Sequence, residues 1–128
     1  MDWLPTLLDA AAAHQDPAFP SDGISLLPNL TGSRAPIPRT LFWRYHANAQ
    51  MAAREGDLKW LKIRENDFLF NVVADPLERA NLKARQPADY QRLVAAYKSW
   101  EATMLPIDPA AYTQSISGKV RADHYGID

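Results

Sequence analysis

The spacing of apolar residues changes along this chain, from helical near both ends to strand-like in the middle. Near the N-terminus an apolar face at three-and-four spacing predicts a helix over residues 2–13, with Asp2 as its cap. That face consists of Leu4, Leu7, Leu8, Ala11 and Ala12. The same spacing recurs over residues 87–104, where Pro87 suits a first helical position, and it predicts a longer second helix.

Between these helices lie short aromatic, β-branched or alternating segments, which predict four strands. The strands are predicted at residues 40–45, 50–54, 58–64 and 68–73. Turn-forming residues at 55–57 and 65–67 separate the later strands and favour an antiparallel meander. The predicted class is therefore α+β: a four-stranded antiparallel sheet with the long C-terminal helix packed on one face.

Both faces of the predicted sheet carry large apolar side chains, as Phe42 and its neighbours Leu41 and Trp43 show. Such a sheet needs cover on both sides, yet one long amphipathic helix follows it. The second face is therefore expected to meet the N-terminal helix, a second copy of the chain, or protein outside it. The alternative, an ordinary partly apolar surface of a small domain, stays equally open.

Loop-forming residues divide the chain into three parts. Gly32, Pro36 and Pro38 mark the strongest boundary, after a short apolar turn or helix within residues 24–30. We expect residues 1–36 to form a helix and loops, residues 37–106 a sheet-and-helix subdomain, and residues 107–128 a tail.

Composition narrows the function classes. The 128 residues include 47% apolar and 23% charged side chains, which is typical of one folded domain. The absence of cysteine excludes disulfides, thiolate nucleophiles and sulfur-ligated zinc. With 14 basic and 15 acidic residues there is no charge signature for nucleic acid or an anionic membrane, so neither is an expected partner. No apolar run is long enough to span a bilayer. The first three residues lack the basic start of a signal peptide, and bacterial cytoplasm and periplasm both stay open.

No catalytic constellation is visible. The sequence contains no phosphate-binding glycine loop, nucleophile elbow, HExxH or EF-hand loop. His14, His46 and His124 lie far apart, which favours structural or surface roles. The basic residues Lys59, Lys62 and Arg64 fit edge protection of a strand better than an anion-binding patch.

Five segments, in order, are similar to those of one enzyme family. Residues 2–11 (DWLPTLLDAA) are similar to its D-x-x-PTLL-x-x-AG helix, and residues 22–32 (DGISLLPNLTG) to its DG-x-SL-x-P-x-L-x-G segment. Residues 39–43 (RTLFW) resemble the strand that opens its small C-terminal sheet. Residues 53–61 (AREGDLKWL) resemble its V-R-x-G-x-x-K-Y hairpin, and residues 68–82 (FLFNVVADPLERANL) its ending LYDL-x-x-DP-x-E-x-x-NL. The chain thus resembles the C-terminal part of the sulfatases, in the arylsulfatase-like branch of the alkaline phosphatase superfamily.

The chain departs from the family pattern at two places in these segments, and it lacks the family's catalytic motifs. Asn71 stands where the family usually has Asp, and Ala12-Ala13 where it more often has Ala-Gly. The family's C/S-x-P-S-R motif, whose first residue becomes formylglycine, has no counterpart, and Ser33-Arg34 lies in a Pro-rich loop without it. Its ligands for a divalent metal, calcium, are also missing. The resemblance thus implies calcium and formylglycine for a parent enzyme, and none in this chain.

The resemblance implies a non-catalytic C-terminal domain or fragment of a hydrolase of sulfate monoesters. In such a parent this segment would buttress the catalytic domain and border the substrate cleft, and the N-terminal helix would belong to the catalytic domain. The expected partner is that missing domain, or a second copy in a homodimer. Two alternatives stay open: a free-standing interaction module that uses the apolar sheet face, and a fragment of a phosphonate or phosphodiester hydrolase of the same superfamily.

One loop is a candidate for contact with substrate. Arg44, His46, Asn48 and Gln50 lie in a stretch otherwise made of Tyr and Ala, between the first two predicted strands. Polar loops on a rigid sheet often carry binding residues. In the family that the chain resembles, loops of the small sheet can approach the rim of the catalytic pocket, so the resemblance implies a rim position for Arg44, His46 and Gln50. An ordinary solvated loop is the alternative.

Overall fold

A computed structural model describes residues 1–46, 49–108 and 110. The elements are α1 (Trp3–Ala10), α2 (Leu27–Leu30), β1 (Thr40–Tyr45), β2 (Gln50–Glu55), β3 (Leu58–Ile63), β4 (Asn66–Asn71) and α3 (Pro87–Glu101). The predicted α+β class is confirmed, with a four-stranded antiparallel sheet, a C-terminal helix and an N-terminal helix. Contacts divide the chain into two compact units, Met1–Ile37 and Pro38–Asp128. Most of the predicted tail, residues 109 and 111–128, lies outside the described residues.

The sheet is a meander in the order β1-β2-β3-β4, with every neighbouring pair antiparallel. Two-residue turns join its last three strands, and each turn places a residue in the left-handed region: Gly56 at φ +56° and Arg64 at φ +54°. Because Arg64 makes the second turn, β3 ends at Ile63 and β4 begins at Asn66, two residues before the predicted start. The sequence signal at residues 65–67 placed this turn too late, since arginine is not typical of a left-handed position.

The helix α3 covers one face of the sheet, as predicted. Leu93 and Tyr97 are fully buried against a cluster formed by Ala53, Trp60 and Leu69. The indole ring of Trp60 lies 5.0 Å from the ring of Tyr97, and Phe42 stacks on Trp100 at 5.1 Å.

This helix ends at Glu101, three residues before the predicted end. The amides of Thr103 and Met104 bond to carbonyls three residues back, which tightens the last turn. Met104 lies beyond the last helical residue, and its side chain is 38% exposed. The helical spacing of apolar residues in the sequence therefore continues past the end of the helix.

The first unit contains α1 and α2. Helix α1 ends at Ala10 rather than residue 13, and Ala12 has a left-handed φ of +51°. Asp2 occupies the N-cap position, as predicted, but its side chain makes no cap hydrogen bond to the helix. Its Oδ1 instead accepts a hydrogen bond from the Ile24 amide at 3.2 Å. Within the described residues, neither α1 nor any later helix combines the length and apolar character that crossing a bilayer requires.

Candidate functional site

The first two family-like segments contact each other. Thr6 is the buried polar residue of α1, and its hydroxyl donates to the Asp2 carbonyl at 2.6 Å and accepts from the Leu26 amide at 2.9 Å. The Ser25 hydroxyl donates to Asp9 Oδ2 at 2.6 Å. The backbone of Gly23 lies so close to Met1 that an added Cβ would be 2.3 Å from the Met1 carbonyl oxygen. Contacts between the two segments therefore account for the residues that they share with the family.

The last family-like segment, residues 68–82, begins in β4 and continues into a loop after Asn71, which is called the strap below. Asn71 Oδ1 accepts hydrogen bonds from the amides of Val73 at 3.1 Å and Ala74 at 2.8 Å. Asp75 Oδ2 accepts from the amides of Arg79 and Ala80, both at 2.7 Å. An aspartate at position 71 would offer the same acceptor oxygen, which accounts for the departure of Asn71 from the family pattern.

The strap then returns to the sheet. The Lys59 ammonium donates to both carboxylate oxygens of Glu78, at 2.7 and 3.0 Å, and Glu78 has a left-handed φ of +52°. Further on, Asn81 bonds along the edge of β4, and Leu82 packs on the cluster beneath α3. The DP-x-E-x-x-NL pattern thus has a structural role at each of its polar positions.

The predicted rim residues do not converge in this structure. Arg44 and Gln50 belong to the strands, and the register places them on opposite faces of the sheet. Arg44 Nη2 donates to the Leu105 carbonyl at 2.8 Å, while His46 lies exposed in the connecting turn. Asn48 lies outside the described residues. A contact of Arg44, His46 or Gln50 with substrate stays a prediction.

The second face of the sheet has its own apolar cluster, formed without any residue of α3. Ala52, Leu61, Ile63 and Phe70 are buried in it, and Phe68 and Val72 pack against it. Next to this cluster Trp43 and Tyr45 are each about half exposed, at 49% and 47%. Trp43 and Tyr45 therefore form a partly exposed aromatic border on the face of the sheet away from α3.

Two basic residues of β3 lie on opposite sides of the sheet. Lys59 belongs to the second face, whereas Lys62 pairs in register with Met51 on the face covered by α3. Since β3 is a central strand, edge protection is the wrong interpretation of both, and Arg64 lies in the turn after β3. Sequence reasoning missed that Arg54 and Lys59 are cross-strand partners. The hairpin around Gly56 was the signal that could have paired them.

The described residues do not fit the metal centre implied by the sulfatase resemblance. Among residues 1–46, 49–108 and 110, no three His, Asp or Glu side chains come together as a metal-binding group. Ser33, the serine beside Arg34, lies in the loop after α2 and donates its hydroxyl at 3.0 Å to the carbonyl of Pro28, a residue of α2. No step of sulfate-ester hydrolysis is assigned to these residues.

Comparisons with known proteins identify the fold. No protein-family model matches the chain, and no curated protein matches it. Among solved structures, a Bacteroides thetaiotaomicron protein of glycosaminoglycan metabolism matches with a TM-score of 0.64 at 17% identity, over 79% of this chain and 24% of its own. A 2-O GAG sulfatase matches with a TM-score of 0.55 at 24% identity, over 84% of this chain and 27% of its own. A protein solved with its substrate D-glucosamine-2-N,6-O-disulfate matches with a TM-score of 0.55 at 23% identity, over 79% and 23%.

The class that these matches define is an α+β subdomain of sulfatase type. This chain spans about a quarter of the length of the structures that it matches. Its fold is thus that of a part of a sulfatase, which confirms the resemblance at the level of fold.

Proposed function

We propose that this chain acts as the non-catalytic C-terminal part of a sulfatase-like hydrolase of the arylsulfatase-like branch. The observation that carries the proposal is its match to about a quarter of several sulfatase-type structures, over 77–84% of its own length. The order of the five family-like segments supports the C-terminal assignment. The chain has neither the nucleophile motif nor, in its described part, a metal-binding group.

In this proposal the chain buttresses a catalytic domain and borders its substrate cleft. Support comes from apolar surface in each unit taken by itself. In the first unit Trp3, Leu4 and Leu7 are 73%, 56% and 61% exposed, and in the second the aromatic border includes Trp43. Burial of such side chains against another domain stabilises a complex by roughly 25 cal/mol per Å² of apolar area. The parent would supply calcium, formylglycine and hydrolysis of a sulfated sugar.

The rim of the parent's pocket is a further part of this proposal. Replacing His46 is a clearer test than replacing Arg44, because Arg44 also donates a hydrogen bond to the Leu105 carbonyl, which its replacement would remove. In the parent enzyme, His46→Ala should raise KM for sulfated substrates while leaving unfolding unchanged. Unchanged kinetics would leave this loop as scaffold.

A second candidate function is a free-standing interaction module, and the half-exposed pair Trp43 and Tyr45 favours it. The coding region upstream of Met1 separates the two functions. A reading frame continuous with this chain that carries C/S-x-P-S-R and Asp or Asn metal ligands would support the sulfatase part. An in-frame stop codon upstream of Met1, with an unrelated gene before it, would overturn the sulfatase assignment in favour of the interaction module. Motifs of a phosphonate or phosphodiester hydrolase in that frame would keep the assignment to a hydrolase but change the class of its substrate.

A further inference from the structure

A cleft of about 240 Å³ lies between α3 and the face of the sheet that this helix covers. On the sheet side it is lined by Met51, Lys62 and Asp67, which are cross-strand partners in one row of β2, β3 and β4. On the helix side Val94 and Lys98 line it, one turn apart on α3. The cleft lies entirely within the second unit, on the opposite face from the aromatic border.

Two ammonium groups and two carboxylates belong to this lining. Lys62 stands directly opposite Asp67 in the register of β3 and β4, and Lys98 precedes Glu101 by three residues on α3. Either arrangement would allow an ion pair. Within the described part of the chain, however, no ion pair joins Lys62 or Lys98 to a carboxylate.

Aromatic donors hold both carboxylates instead. Trp60 Nε1 donates to Asp67 Oδ1 at 3.1 Å, and the Tyr97 hydroxyl donates to Glu101 Oε1 at 3.2 Å. Trp60 and Tyr97 are buried in the core beneath α3, so the positions of both donors are fixed by packing. The Lys83 ammonium lies 3.9 Å from Asp67 Oδ2. Because a carboxylate has about four lone-pair sites, each one can accept a further hydrogen bond.

We propose that this cleft binds a free α-amino acid with an aliphatic side chain. The carboxylate of the amino acid accepts hydrogen bonds from the ammonium groups of Lys62 and Lys98. The ammonium of the amino acid donates to the two carboxylates that Trp60 and Tyr97 hold.

The size and the lining of the cleft support this class of ligand. Its volume lies below the range of about 300–1,000 Å³ that is usual for drug-sized ligands, so it suits a smaller molecule. Met51 and Val94 offer apolar surface to an aliphatic side chain. A ligand with a single charge of either sign would meet like charges in the lining, whereas a zwitterion can place each of its charges beside the opposite one.

This site goes beyond the proposed function. It lies on the opposite face from the aromatic border, which that function assigns to packing against the catalytic domain, and it takes no part in ester hydrolysis.

The test is a titration of the full chain with L-leucine, followed by NMR of the backbone amides of residues 60–67 and 90–101. Two matched probes are isocaproate, which is leucine without its amino group, and isoamylamine, which is leucine without its carboxylate. Saturable shifts with leucine at a Kd of about 1 mM are expected, with at least ~10-fold weaker binding of each matched probe. Absence of a saturable shift with leucine, or equally strong binding of either matched probe, overturns the proposal.

Two variants test the two ends of the ligand. Lys98→Gln should weaken leucine by about 10-fold without weakening isoamylamine. Glu101→Gln keeps an acceptor for the Tyr97 hydroxyl and should weaken leucine by about 10-fold without weakening isocaproate. Wild-type leucine affinity in either variant would overturn the proposal.

Arg79→Gln is the matched control, because Arg79 is exposed and lies outside the cleft, and it should leave leucine binding unchanged. Thermal unfolding of each variant checks that it is folded. Failure of binding leaves the proposed function standing, and sulfatase turnover by the chain would contradict that function alone.

Discussion

Asn81 completes the hydrogen bonding of Leu69 at the free edge of β4. Its Oδ1 accepts from the Leu69 amide at 3.1 Å, and the next residue, Leu82, donates its own amide to the Leu69 carbonyl at 2.7 Å. Leu69 is fully buried, so both of its backbone groups would lack partners without this contact. The asparagine of the last family-like segment thus closes the sheet where a fifth strand would otherwise pair.

Replacement of Asn81 should therefore destabilise the sheet. Asn81→Ala removes the acceptor of a buried amide, and we expect a loss of about 1–3 kcal/mol in the free energy of unfolding. Urea denaturation measures it. Asn66→Ala, an exposed asparagine at the start of the same strand, is the matched control and should change stability by less than about 0.5 kcal/mol. Equal effects of the two variants would show that the Leu69 contact contributes nothing.

Thr6 offers a test of the contact between the first two family-like segments. Thr6→Val keeps the shape but deprives the Leu26 amide of its acceptor, and should cost about 1–3 kcal/mol. Amide hydrogen exchange at Leu26 should accelerate correspondingly. Thr6→Ser retains the hydroxyl and should keep most of the protection. Slow exchange in the valine variant would mean that this hydrogen bond is not formed.

The phenol of Tyr97 should make stability depend on pH in the alkaline range. Burial, followed by the charge of Glu101 and a hydrogen bond to it at 3.2 Å, raises the pKa of Tyr97 from 10.0 to about 12. The folded-state pKa is the higher one, so the stabilisation is complete below pH 10 and is lost as the pH rises towards 12. The loss should approach roughly 2–3 kcal/mol.

Urea unfolding of the wild type and of Tyr97→Phe across this range isolates that contribution from other titrating groups. The stability difference between the two proteins should stay constant up to about pH 10 and shift in favour of the variant above it. A difference that is the same at pH 8 and pH 11.5 would contradict the raised pKa.

The exposed apolar side chains of α1 should drive self-association of the isolated chain. Trp3, Leu4 and Leu7 are each more than half exposed, and apolar patches of this kind usually meet a partner. We expect a homodimer by light scattering, which the double change Leu4→Glu and Leu7→Glu converts to monomer. Val73→Glu, at an apolar residue of similar exposure elsewhere, should leave the dimer intact. A monomer at high concentration would argue against this assembly.

Much of the fold could be predicted because its signals are local. The aromatic run at Thr40–Tyr45 and the amphipathic spacing that begins at Pro87 gave strand and helix in the right places. The errors lie at the ends of elements and in turns, where Ala12 and Arg64 adopt left-handed backbone conformations. Neither alanine nor arginine favours that conformation, so the residue types give no local signal for it.

The candidate site was less predictable. Strand alternation places Arg44 and Gln50 on opposite faces of the sheet when an even number of residues connects β1 and β2, as residues 46–49 do. The pairing of Lys59 with Glu78, 19 residues apart, depends on the path of the loop after β4 and has no local signal. Resemblance to the sulfatases identified the segment that makes this contact but not what each residue contacts.

The most direct test of the central claim is a hydrolysis assay of the purified 128-residue chain. Aryl sulfate and sulfated glucosamine are incubated with it, with and without calcium, beside an active sulfatase at equal concentration. The account predicts no turnover above the buffer rate, because the chain has no nucleophile motif and its described residues form no metal-binding group. Calcium-dependent hydrolysis that co-purifies with the chain would contradict it.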